Sequence, residues 1–184
     1  MNQRNKLIII LLIIVAFFGA LSLVDFSFLH KPQFAIPTNG PQFITTEEFS
    51  QLPKAKVIEV IDGDTIHVLL ENKEETIRYL GIDTPEIEHS ATGRTQQFGE
   101  RAKQLNEFLV KDKNVYLQHD IQKRDAYNRL LAFVYLEDKT LANWVILRSG
   151  YAKALIILPN SKFSDLFKQE EAKAIEDKLG IWSR

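Results

Sequence analysis

Residues 61–86 read IDGDTIHVLLENKEETIRYLGIDTPE, and this stretch gathers Asp62, Asp64, Arg78, Asp83 and Glu86 within one strand-turn-strand pattern. Gly63 allows backbone angles that other residues resist, so Asp62 and Asp64 can be presented at a tight bend between extended segments. Pro85 fixes its own φ and biases Thr84 towards extended geometry, which aims Glu86 from a stiff segment. Carboxylates that converge repel one another unless a cation joins them, and oxygen ligands of this kind suit a hard cation such as calcium. Asp-Gly alone is a common hairpin signal and Asp-Thr-Pro alone a common turn. Together, with Arg78 between them and a third polar piece downstream at residues 125–132, they favour a site.

Outward from this stretch, Lys54 to Ile61, Thr65 to Leu70 and Thr76 to Ile82 are β-branched and alternating, with residues 71–74 as the turn between the last two. They predict a three-strand meander. From Thr95 to Lys111 the period changes, because Phe98, Ala102, Leu105 and Leu109 fall on one helical face. Asn114 to His119 and Leu130 to Leu136 return to strand character. Thr140 to Arg148 predicts a short apolar helix and Ser164 to Leu179 a final one, with Gly150 and Gly180 as terminators. The fold class that matches is α+β: a five-stranded OB-type Greek-key β-barrel with three α-helices.

The third polar piece is DAYNRLLA, residues 125–132. IDGDT, IRYLGIDTPE and DAYNRLLA, in this order and spacing, resemble the staphylococcal nuclease (thermonuclease) family over about residues 54–182. The resemblance implies a calcium-dependent phosphodiesterase acting on DNA or RNA backbones. It assigns Asp64, Asp83 and the Thr84 carbonyl to calcium, and Glu86 to orienting or deprotonating a water. Arg78 and Arg129 are permanently charged forks suited to phosphate oxygens, and the place of Tyr127 suggests a nucleotide contact. Asp62 reads better as a turn-stabilising group than as a ligand. Where relatives often carry tyrosines after an Ala-Lys pair, residues 152–159 read AKALIILP, so part of the nucleotide pocket is altered; Ile156 and Leu158 are the positions at which tyrosine would restore it. Asn128 stands where glycine is usual, and asparagine tolerates the left-handed conformation.

The 184 residues, 45% of them hydrophobic, suffice for one domain plus an appendage. The sequence has no cysteine and four histidines without paired metal spacing, which excludes thiolate chemistry and makes structural zinc a poor reading. Trp144 and Trp182 read as core. Leu7 to Val24 is free of charge and follows Arg4 and Lys6, the pattern of a signal-anchor or signal peptide that leaves the N-terminus inside and the remaining chain outside. The expected organisation is therefore 1–24 as anchor or signal, 25–53 as tether and 54–184 as the nuclease-like domain. That domain would be exported: held by a single-pass membrane helix, or secreted if the segment is cleaved. Without Arg4 and Lys6 the chain holds 21 basic against 24 acidic residues, a net of −3. Attraction for nucleic acid must then be local, through the two arginines, the calcium and the loop His89 to Arg94. No obligate protein partner is marked, and the chain reads as a monomer. Two other readings remain open: an exported OB-fold module that binds oligonucleotide or protein without cutting it, and an envelope domain that uses calcium for stability alone.

Overall fold

The computed structural model describes residues 34, 36–38, 40–87 and 98–183. In chain order they carry α1 (Thr46–Ser50), β1 (Lys54–Val60), β2 (Thr65–Leu70), β3 (Lys73–Tyr79), β4 (Ile82–Asp83) and α2 (Gly99–Val110). β5 (Asn114–Gln118), β6 (Leu130–Tyr135), α3 (Ala142–Arg148), β7 (Lys153–Ala154) and α4 (Ser164–Glu176) follow, with a 3-10 turn at Gly180–Trp182. The apolar run Leu7 to Val24 and the loop His89 to Arg94 lie outside the described residues.

Five strands close into a barrel in the order β1, β2, β3, β6, β5, and β5 pairs back onto β1. Closure removes the free edges that an open sheet would expose. The other joints are antiparallel, but β3 meets β6 in parallel, with Ile77 opposite Leu130 and Tyr79 opposite Ala132. Alternation in β1 and β2 sends Ala55, Val57, Ile66 and Val68 inward, where they meet Ile77, Val115, Leu117 and Val134. Outside the barrel, Phe43, Phe133, Phe163 and Phe167 form a cluster with centroids 4.7 to 6.3 Å apart, edge-to-face except for the stacked Phe163 and Phe167.

Three local features differ from the sequence reading. The turn after β2 is only Glu71 and Asn72, both at positive φ (49° and 64°), so Leu70 pairs with Lys73 and the third strand begins three residues before Thr76. Two consecutive positive φ values match the twist of a hairpin, which a longer loop would relax. The predicted strand from Thr76 to Ile82 breaks at Gly81 (φ 78°), and Ile82–Asp83 pairs instead with Lys153–Ala154 as a separate ribbon. An added Cβ at Gly81 would also meet the Phe167 ring at 2.6 Å. Phe98, assigned to the apolar face of the long helix, is its N-cap residue in the left-handed region (φ 78°) and packs 6.5 Å from Tyr151.

Part of the stretch read as a tether packs on the barrel. Ile44 is buried, Phe43 lies 5.9 Å from Trp144, and Phe49 lies 4.5 Å from Tyr116. The short α1 is closed by a capping box in which the Thr45 and Glu48 side chains each bond the other's backbone N–H. Phe34 stands edge-on to Tyr151 at 5.8 Å.

One buried amide joins the layers: Asn143 on α3 accepts from the Val134 N–H at 2.9 Å and donates to the Leu80 carbonyl at 2.8 Å. Replacement by leucine leaves both backbone groups unpaired. Asn143→Leu should cost about 3 kcal/mol in urea unfolding, and a loss below about 1 kcal/mol would show that the amide is not holding the layers.

Candidate active site

The site begins at the 62–64 bend. Its backbone closes through Ile61 N–H to Thr65 O at 3.0 Å, and the Asp62 carboxylate accepts from the Asp64 N–H at 2.9 Å. Asp62 is thus the turn-stabilising group that its position suggested. Gly63 is not at positive φ; what it supplies is room, since a Cβ there would meet the Ala102 Cβ at 2.6 Å and the Thr84 Cγ2 at 2.7 Å. The bend is pressed between α2 and the residues following β4.

This pressing buries Asp64. One carboxylate oxygen accepts from the Thr84 N–H at 2.8 Å and its hydroxyl at 3.0 Å. The other lies 3.1 Å from Arg78 Nε and accepts from the Thr65 hydroxyl at 3.2 Å. Burial drives the Asp64 carboxyl up to about 7, against the pull of Arg78 and with the push of the Asp62 charge. Asp83, by contrast, is exposed and gives one oxygen to Arg78 Nη2 at 2.9 Å.

Arg78 is almost fully engaged within the protein. Its Nη1 donates to the Tyr79 and Ile82 carbonyls, both at 2.8 Å, while Nε and Nη2 face Asp64 and Asp83. Of five N–H groups, this leaves one on Nη2 for anything else. Arg129 is arranged oppositely. Asn128 takes the left-handed conformation (φ 66°), and Asp125 accepts from the Arg129 N–H at 2.9 Å and from its Nε at 2.7 Å. The two terminal nitrogens of Arg129 have no hydrogen-bond partner among the described residues. They form an open fork.

Asp125, which the sequence reading left out of the site, therefore sets the aim of Arg129. Burial raises its carboxyl, but the bonds from Arg129 outweigh this and the net shift is downward. The loop is anchored in turn by Arg124, whose guanidinium grips Glu75 on β3 at 2.7 and 2.9 Å and the Asn128 carbonyl at 2.7 Å. An aspartate opening the turn before the arginine was a visible signal for the first contact, since its side chain caps backbone N–H groups such as that of Tyr127. Nothing in the sequence marked the second.

Arg78, Asp83, Glu86 and Arg129 line one cavity of about 450 Å³, together with Asp125, Gln122 and an apolar wall that includes Leu131, Leu155 and Ile157. Glu86 is held by its backbone, which lies so close to α2 that a Cβ at Gly99 would meet the Glu86 carbonyl at 2.6 Å. Tyr127 stands at the rim, 82% exposed, with the Arg129 guanidinium 5.6 Å from its ring centre. Ile156 and Leu158 do not line this cavity; Leu155 and Ile157 do, one residue out of step with the sequence reading, and Ile157 remains exposed. Among the described residues, no three His, Asp or Glu side chains converge as a ready metal cage. The candidate donors are the Asp64 and Asp83 carboxylates beside Thr84.

The sequence pattern of the family described as staphylococcal nuclease homologue matches residues 76–184. This chain belongs to that family. It is 36% identical to endonuclease YncB of Bacillus subtilis (strain 168) over 158 residues, covering 80% of this chain and 74% of the relative. It is 37% identical to a thermonuclease of Staphylococcus hyicus over 128 residues, covering 70% and 75%. A match at 40% to the prophage-derived endonuclease YokF of B. subtilis takes in 67% of this chain but 42% of that longer protein. In this family member the expected fold stands: a five-stranded closed barrel flanked by helices.

The raised Asp64 carboxyl has a measurable sign. Between about pH 4 and pH 7 the folded chain keeps a proton that the unfolded chain has released, so metal-free stability should fall as pH rises through this window. Asp64→Asn should flatten that slope in chelator-treated protein, followed by denaturant unfolding at each pH. An unchanged slope would place the titration elsewhere.

Proposed function

We propose that this family member is a nuclease that hydrolyses the phosphodiester backbone of DNA or RNA with the help of calcium. The observation that carries the reading is one cavity lined by Arg78, Asp83, Glu86 and the open fork of Arg129. The names endonuclease and thermonuclease attached to its relatives support it. An all-oxygen donor set with two carboxylates suits a hard dication. Asp64, Asp83 and Thr84 would hold calcium, which when bound supplies positive charge beside the scissile phosphate.

The protein's own groups divide the remaining work. The two terminal nitrogens of Arg129 pair with two phosphate oxygens, an arrangement that strengthens as charge builds up on them in the transition state. Arg78 adds its one remaining N–H and its charge, while its other bonds keep Asp64 and Asp83 together. Glu86 accepts a proton from the attacking water at its carboxylate. Tyr127, an exposed ring at the rim, offers a face on which a base can stack.

We place the working domain outside the cell membrane, joined to residues 1–24 as anchor or cleaved signal through the part of 25–53 that precedes the packed residues. The apolar run and the two basic residues before it support this orientation. The chain is taken to act as a monomer.

Glu86→Gln and Arg129→Ala should each lower turnover by about a hundredfold or more on single-stranded DNA or RNA with calcium, while circular dichroism stays unchanged. Near-normal turnover in either variant would remove that residue from the chemistry. Arg78→Lys should lose both activity and stability, because a lysine cannot replace four directed bonds. Calcium binding measured by calorimetry should vanish in Asp64→Ala and in Asp83→Ala; unchanged affinity would exclude them as ligands. Full-length protein should fractionate with membranes and be open to protease on intact spheroplasts. A soluble product beginning near Leu23 would show cleavage and secretion instead.

A further inference from the structure

The side chain of Asn106 is fully buried on α2, on the same apolar face as Ala102, Leu105 and Leu109. An amide in such a place must have both ends satisfied. Its Nδ2 donates to the Asp62 carbonyl at 2.9 Å, and its Oδ1 accepts from the Tyr79 hydroxyl at 2.9 Å. Tyr79 is itself buried, and its N–H donates to the Asp64 carbonyl at 2.9 Å. The circuit closes where the Asp62 carboxylate accepts from the Asp64 N–H at 2.9 Å. Four residues from three separate elements thus hold one another, and Asp64 is gripped through both of its backbone polar groups. Beside this circuit, Gly63 packs against Ala102, one helical turn before Asn106.

The geometry points to Asn106, oriented by Tyr79, as a positioning residue that sets the Asp64 carboxylate for calcium. It touches neither metal nor substrate. A simple core amide would affect only overall stability. Here the amide is bonded to the bend whose next residue but one is the proposed ligand, so its loss releases that bend from α2 while leaving the barrel pairing intact. The inference rests on the calcium-assisted reading proposed above, and its test includes one readout that needs no calcium.

The experiment compares full-length wild type in mild detergent with Asn106→Leu, Tyr79→Phe and a control, Leu109→Ala, which opens a cavity on the same buried helix face without touching the circuit. Calorimetric titration with calcium, well below each melting temperature, should show an affinity loss of about tenfold or more in Asn106→Leu and a smaller loss in Tyr79→Phe. Leu109→Ala should keep the wild-type affinity within about twofold, despite its lower melting temperature. At saturating calcium, Asn106→Leu should recover turnover to within about threefold of wild type, since Arg129 and Glu86 are untouched. Without calcium, the Asp64 amide should lose hydrogen-exchange protection by about tenfold or more in Asn106→Leu, whereas the Val57 amide, bonded to Lys113 across the barrel, keeps its own. Equal protection of Asp64 in wild type and Asn106→Leu, or an equal calcium loss in Leu109→Ala, would overturn the assignment. If wild type binds no calcium but Asp64 protection falls selectively, the calcium reading fails and with it the role toward calcium, while the anchoring of the 62–64 bend by Asn106 stands.

Discussion

The guanidinium of Arg78 is the joint on which the site hangs. It lies on β3, yet its bonds reach the 62–64 bend through Asp64, the break after the strand through the Tyr79 and Ile82 carbonyls, and β4 through Asp83. Three chain segments that would otherwise end in separate turns are thereby fixed to one planar group. The same group keeps two carboxylates near each other that would repel in its absence. A point charge on a flexible stem could neutralise them but could not direct four bonds.

This division separates two arginines that look alike in sequence. Arg78 is consumed by architecture, whereas Arg129 is held at Nε by Asp125 and leaves its two terminal nitrogens unspent. Both line the cavity, so the difference lies in what already occupies their N–H groups and not in their location. The supports behind them differ as well. Arg78 is steadied by burial and backbone carbonyls, Arg129 by a loop whose own anchor is the Arg124–Glu75 pair on the barrel wall.

The barrel was legible because inward-facing positions in β1, β2, β5 and β6 alternate with short polar turns, and because Asp62-Gly63-Asp64 and Asp83-Thr84-Pro85 punctuate them. Boundaries failed where backbone sign mattered: positive φ at Glu71, Asn72, Phe98 and Gly81 moves a strand start, a helix start and a strand end, and side-chain periodicity carries no mark of it. Gly63 was singled out for the right position and the wrong reason, since its demand is for space against Ala102 and Thr84. Asp64, Asp83, Glu86 and Arg129 could be picked from local motifs. Asp125 could have been, as the aspartate that opens the turn before Arg129. Asn106 and Glu75 could not, because their partners lie far away in sequence and a lone polar residue on a helix or strand does not announce which distant group it meets. That Leu155 and Ile157 line the cavity in place of Ile156 and Leu158 was hidden for the same reason, since their own stretch does not mark the distant residues they face.

The parallel seam between β3 and β6 joins Ile77 to Leu130, segments separated by the whole of α2 and β5. Local hairpins can form while a chain is still emerging, but this contact needs β6 to have been made and bears a loop-closure cost that the hairpins do not. Arg78 stands on one side of this seam and Arg129 just ahead of the other. Their meeting thus requires a pairing between segments far apart in the chain, as does the β1–β5 pairing that shuts the barrel, and a chain cut before β6 carries Arg78 without the cavity. Each arginine, with its own stretch of chain, is therefore only half of the cavity wall until the seam has joined it to the other.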